Sequence, residues 1–143
     1  MPACAKKLLL EKEGFAIRTI DPTQYGVPDY YELVLIASEQ TVKEKAETIR
    51  KFWRAAQRGQ QYVMAHPDEG LKILLAHQEQ AFPLDAEVEK KSLQMLLPRM
   101  DAGDKLFGWQ DAASWEAVAS WMQKSGLIRQ AVAGKDCFVN VTE

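Results

Sequence analysis

The stretch YGVPDYYELVLIASE, Tyr25 to Glu39, opens as a turn, passes an acid and two adjacent tyrosines, and becomes an apolar run ending at a helix start. Gly26 relaxes φ while Pro28 fixes it and removes a donor, which marks this part as loop. From Tyr30 to Ser38 the residues are almost continuously apolar, the pattern of a strand buried on both faces. Just upstream, FAIRTID alternates Phe15, Ile17 and, after Thr19, Ile20, which predicts a strand of about five residues. A strand apolar on both sides needs neighbours in a larger sheet, and the later chain supplies none. The sequence reads as part of something larger.

Everything after Ser38 reads as helix. Residues 3 to 13 form a short amphipathic helix closed by Gly14. Thr41 with Glu44 three residues on makes a capping box, and Val42, Ala46, Ile49, Trp53, Ala56 and Val63 then keep helical spacing. HPDEG breaks that helix, with Pro67 suited to the first position of the next. Asp85 is a candidate N-cap for a helix running to about Leu97, before Pro98. Asp111 opens the last long helix, and Gly126 closes it. The tail GKDCFVNVTE carries no clear pattern. No repeat or interior linker divides the chain, so residues 1–143 are expected to form a single domain.

The composition is ordinary for a globular protein of 143 residues, 47% hydrophobic and 27% charged. Eighteen basic against twenty acidic side chains give a net charge of −2. That balance offers no footprint for nucleic acid, and no basic stripe appears on reading along the chain. Cys4 and Cys137 lie at opposite ends and make no disulfide framework, so free thiols are expected. With only His66 and His77 beside them, no metal-ligand spacing arises. No apolar run approaches the ~20 residues of a membrane span. The three leucines near the N-terminus are too short a patch for a signal peptide, which places the chain, as written, in the cytoplasm.

The strongest candidate site is Asp29, Tyr30, Tyr31 and Glu32. In an extended segment Tyr30 and Glu32 face one way, Asp29 and Tyr31 the other. One tyrosine stacks on a flat heteroaromatic ring while a carboxylate accepts its amino or ring N–H. In the alternative, one tyrosine packs on the core and the acids are solvated. Spacing leaves both open. Trp53 and Trp115 lie on apolar helical stripes and read as core, Trp109 as a staple at a helix entry, Trp121 as a stripe edge. His66 and His77 each end a helix, where the dipole favours a cation. There is no nucleophile elbow, Gly-rich phosphate loop or Cys–His pair. Neither an enzyme nor a cofactor is indicated.

Taken in order, the first strand, YGVPDYYELVLIASE, the long helix, HPDEGLKILL, the helix ending SLQMLLPRM, and GWQDAASWEAVASWMQKSGLI form a recognisable succession. Over about residues 13–140 it resembles the second half of the ABC-importer solute-binding proteins that carry thiamine-pyrimidine precursors, relatives of the eukaryotic pyrimidine-precursor synthase. The resemblance implies an α/β, helix-rich chain: a partial type II periplasmic-binding-protein fold with about two strands and five helices, lacking the first lobe. It implies a pyrimidine-like heteroaromatic ligand at a cleft bordered by Tyr30, Tyr31 and Glu32, and an ABC permease as partner of the full-length protein. It also implies a periplasmic or extracellular lipoprotein if the native chain is longer. A chain lacking one lobe is expected to self-associate through exposed strand edges. The alternative is a free-standing structural or interaction module that has lost its ligand.

Overall fold

A computed structural model of the protein describes residues 4–141, with side chains from residue 6 onward. Six α-helices are present among them: α1 (Cys4–Lys12), α2 (Glu39–Glu44), α3 (Ala46–Ala65), α4 (Pro67–Ala76), α5 (Ala86–Met100) and α6 (Ala112–Lys124). Two short 3₁₀ segments, Pro22–Tyr25 and Gly134–Asp136, accompany them. The chain divides into two compact units. One comprises residues up to Arg18 together with Lys51–Phe107, the other Thr19–Arg50 with Gly108 onward.

The α/β expectation is overturned. No strand forms among the described residues, and both FAIRTID and YYELVLIAS are irregular. A strand exists only through the ladder it shares with a neighbour, and no ladder partner for either run is found among the described residues. Far from being buried on both faces, Leu33 and Ile36 are 88% and 91% exposed.

Helix boundaries follow their caps. Asp85 Oδ1 accepts from the backbone N–H groups of Glu87 and Val88, both at 3.0 Å, and starts α5. Asp111 Oδ1 accepts from Ala113 N at 2.7 Å and starts α6. Pro67 occupies the first turn of α4, where a missing N–H costs nothing. Gly126, at φ 73°, closes α6, with its N–H bonded to Gln123 O and that of Leu127 to Met122 O.

Three boundaries differ from the sequence reading. The cap before α2 is Ser38, whose Oγ accepts from Thr41 N at 3.1 Å, so Thr41 is inside the helix rather than its cap. The long helix is interrupted at Lys45 (φ −122°, ψ 26°), separating α2 from α3. And α5 runs past Pro98 to Met100. Proline so near a C-terminus forfeits a single intrahelical bond. The last carbonyls find other donors: Arg99 Nη1 donates to Met95 O at 3.0 Å, and Gln60 Nε2 to Met100 O at 2.8 Å.

In the first unit α5 packs against both α1 and α4, burying Val88 and Ser92. Trp53 of α3 stacks on Phe107, centroids 5.8 Å apart at 6°, and its Nε1 donates to Phe107 O at 3.2 Å. In the second unit α6 packs on Gly134–Asp136 and buries Ala119 and Gly134. A methyl added to Gly134 would collide with Glu116 N and lie 2.7 Å from Ala112 O, so glycine is required there by contact with α6. Gly134 N donates to Glu116 Oε2 at 2.6 Å, fastening the tail to the helix.

Charge pairing joins α1 to α5: Lys12 Nζ lies 2.6 Å from Asp85 Oδ2 and 3.5 Å from Glu87 Oε2. The Asp85 carboxyl is held below the usual carboxylate range, first by the Lys12 ammonium and then by the Val88 N–H. Lys12 is correspondingly raised, chiefly by its bond to Asp85. A depressed carboxylate contributes stability above its unfolded-state value and loses it as pH falls through the folded value. A raised lysine contributes below its unfolded-state value and loses the contribution as pH rises through the folded one. Asp85→Asn should therefore melt below the wild type at neutral pH, with the gap closing at acid and strongly alkaline pH. Melting curves of both proteins across the pH range check this.

Candidate functional site

The second unit carries the predicted site. Asp21 Oδ1 accepts from Thr23 N at 3.0 Å and Thr23 Oγ1 at 2.8 Å, which rounds the chain into the Pro22–Tyr25 segment. These two bonds, the hydroxyl first, lower the Asp21 carboxyl's pKa. Gly26 follows at φ 85°, a left-handed conformation that glycine alone adopts without strain, and turns the chain toward Tyr30.

The two tyrosines then part company. Tyr31 is half-buried: its hydroxyl accepts from Asp111 N at 2.8 Å, and its ring lies 6.1 Å from that of Trp115, tilted by 37°. Trp115 in turn stacks on Phe138, centroids 6.2 Å apart at 9°. Its Nε1 donates to Gln110 Oε1 at 2.9 Å. Asn140 closes the cluster by reciprocal bonds with the backbone of Gln110, accepting from its N–H and donating to its carbonyl, both at 2.9 Å. Tyr31 is thus fixed by a helix start and an aromatic stack.

Tyr30 is 53% exposed, and Asp29 and Glu32 are exposed beside it. The backbone bends at Glu32–Leu33, so strict strand alternation does not extend beyond this point. Of the four predicted residues, only Tyr31 is joined to the aromatic cluster. Tyr30, Asp29 and Glu32 offer a free ring face and two carboxylates to solvent.

The remaining candidates are structural. His77 Nδ1 lies 2.9 Å from Ile73 O at the end of α4, and His66 packs its ring 4.9 Å from Tyr62. Cys137 is a free thiol, its Sγ 3.5 Å from Ala133 O. The side chain of Cys4 lies outside the described residues. No group of three or more metal-ligating side chains occurs among the described residues, and no helix there is long and apolar enough to cross a membrane. The Asn140–Gln110 clamp was not anticipated; an asparagine in a short polar tail gives no periodic signal to find.

Comparison with known proteins bears on what such a surface is for. The model of the family described as NMT1/THI5 like matches residues 3–70. A formylaminopyrimidine-binding protein of Halalkalibacterium halodurans is 44% identical over 136 residues, covering 94% of this chain and 41% of the relative. The chain belongs to the NMT1/THI5-like family. A putative thiamine biosynthesis protein of Haemophilus influenzae is 34% identical over 94% of this chain and 40% of its own length. The riboflavin-binding protein RibY of Chloroflexus aurantiacus is 28% identical over 74% of the chain and 31% of its own length. This NMT1/THI5-like chain therefore spans about two fifths of the length of the first two curated relatives.

The geometry separates the roles of the tyrosines. Tyr31→Phe removes the acceptor for Asp111 N and should cost about 1 kcal/mol. Tyr30→Phe removes an exposed hydroxyl and should stay within about 0.5 kcal/mol of wild type. Urea denaturation of the two variants checks the contrast.

Proposed function

We propose that the chain is a fragment or truncated relative of a solute-binding protein, and that it binds a flat, pyrimidine-like heteroaromatic molecule. The single observation that carries this is the 44% identity to a formylaminopyrimidine-binding protein across nearly the whole chain. Tyr30 supplies the stacking face, and Asp29 and Glu32 accept from the ligand's amino or ring N–H groups. Tyr31 acts from beneath, holding the backbone that presents them. The chain binds and does not catalyse. In the full-length protein it serves import of a thiamine-pyrimidine precursor with an ABC permease as partner, in the periplasm or anchored outside the cell as a lipoprotein. Because the chain spans two fifths of its relatives, it provides part of the contacts, and its affinity is below theirs.

A second reading has its own support. Leu33, Leu35 and Ile36 form an exposed apolar run directly after the candidate site. Such a run is an interaction surface, and a second copy of the chain can cover it to make a homo-oligomer. On this reading the chain is a free-standing interaction module without a ligand.

Thermal melting with formylaminopyrimidine and riboflavin separates the two. Binding stabilises by RT ln(1 + [L]/Kd), so the pyrimidine should raise the melting temperature in a dose-dependent way. Tyr30→Ala should abolish most of that rise without altering the unliganded melt. A protein that melts identically with and without either compound, and whose melting temperature rises with its own concentration, supports the interaction module instead.

A further inference from the structure

The aromatic rings of the second unit divide by burial. Tyr31, Trp109, Trp115, Trp121 and Phe138 are all half-buried. Tyr25 and Tyr30 are 73% and 53% exposed. A single exposed ring is ordinary on a protein surface. Here the unit's two exposed rings stand at the ends of one six-residue segment, YGVPDY. Neither takes part in a ring contact or a side-chain hydrogen bond among the described residues.

The backbone beneath Tyr25 is firmly held. Gln24 N donates to Asp21 O at 3.2 Å, Gly26 N to Thr23 O at 3.2 Å and Val27 N to Pro22 O at 3.3 Å. Pro22 fixes φ at the start of the 3₁₀ segment, and the Asp21 carboxylate fastens its first turn. A turn so held presents its tyrosine with less of the entropy cost that a loose loop incurs on meeting a ligand. No charged side chain occurs from Pro22 to Pro28, whereas Asp29 and Glu32 flank the tyrosine at the other end.

We infer that Tyr25 is a second ring-binding residue of the candidate site, so that one flat heteroaromatic ligand meets two phenol faces. The inference rests on the proposed function and deepens it. Aromatic rings contact one another with centroids about 4.5–7 Å apart, so two phenols can share one ligand ring when their own centroids lie within roughly 14 Å. Five residues of extended chain reach at most about 17 Å, and the left-handed turn at Gly26 shortens that span. The acids beside Tyr30 take the ligand's N–H edge, and the uncharged segment around Tyr25 takes its neutral edge.

The test is calorimetric titration of the intact chain with formylaminopyrimidine, joined to nuclear Overhauser contacts between the ligand and selectively labelled tyrosine rings. The wild-type chain should bind one ligand and show contacts to the rings of both Tyr25 and Tyr30. Tyr25→Leu, which keeps an apolar side chain but removes the ring, should weaken binding about fivefold. Tyr25→Phe, which keeps the ring, should stay within about twofold of wild type. Contacts to Tyr30 alone, two ligands per chain, unchanged affinity in Tyr25→Leu, or equal weakening in Tyr25→Phe would each overturn the inference while leaving the proposed function standing. A wild-type chain that binds no ligand overturns both. The contacts are read on the wild-type chain and decide the matter even where a variant fails to fold.

Discussion

One hydrogen bond organises the candidate site: the Tyr31 hydroxyl accepting from the backbone N–H of Asp111, 80 residues along the chain. Asp111 spends its side chain on Ala113 N, so α6 begins with two bonds at a single residue, one made by its carboxylate and one by its amide. The tyrosine ring meets Trp115 one turn into that helix, and Trp115 also stacks on Phe138. The tail returns to α6 through Gly134, where no β-carbon fits, and through Asn140. Remove the phenolic oxygen and the segment bearing Tyr30, Asp29 and Glu32 loses its fixed point.

That arrangement explains why two adjacent tyrosines are not redundant. A ring already tilted against an indole and hydrogen-bonded through its hydroxyl offers a ligand less, because its polar end is engaged. Its exposed neighbour has both free. Rigid support beneath an accessible residue limits the conformational entropy lost when that residue orders a ligand. The division of labour therefore belongs to the backbone as much as to the side chains.

Local chemistry was legible in the sequence and partnership was not. Asp85, Asp111, Pro67 and Gly126 act within a few residues of themselves, and each sits where its side chain or φ preference dictates. In the sequence Thr41 reads as the cap in place of Ser38 because both are hydroxyl residues three apart, and only the bond from Thr41 N to Ser38 Oγ distinguishes them. The apolar run from Leu33 to Ile36 has strand composition, yet composition does not supply a ladder, and the run is exposed. As for the site, the pair of tyrosines with flanking acids could be picked out, but their separate roles depend on Asp111 and Trp115, far away in sequence.

The central claim is that Tyr31 holds the site and Tyr30 meets the ligand. Ring resonances of the chain's tyrosines, selectively labelled and followed through a titration with formylaminopyrimidine, test it most directly. The account predicts that the Tyr30 ring signals move progressively upfield as an aromatic plane stacks on them, while those of Tyr31 stay in place. Movement of Tyr31 with Tyr30 unperturbed, or no movement of either at saturating ligand, would contradict it.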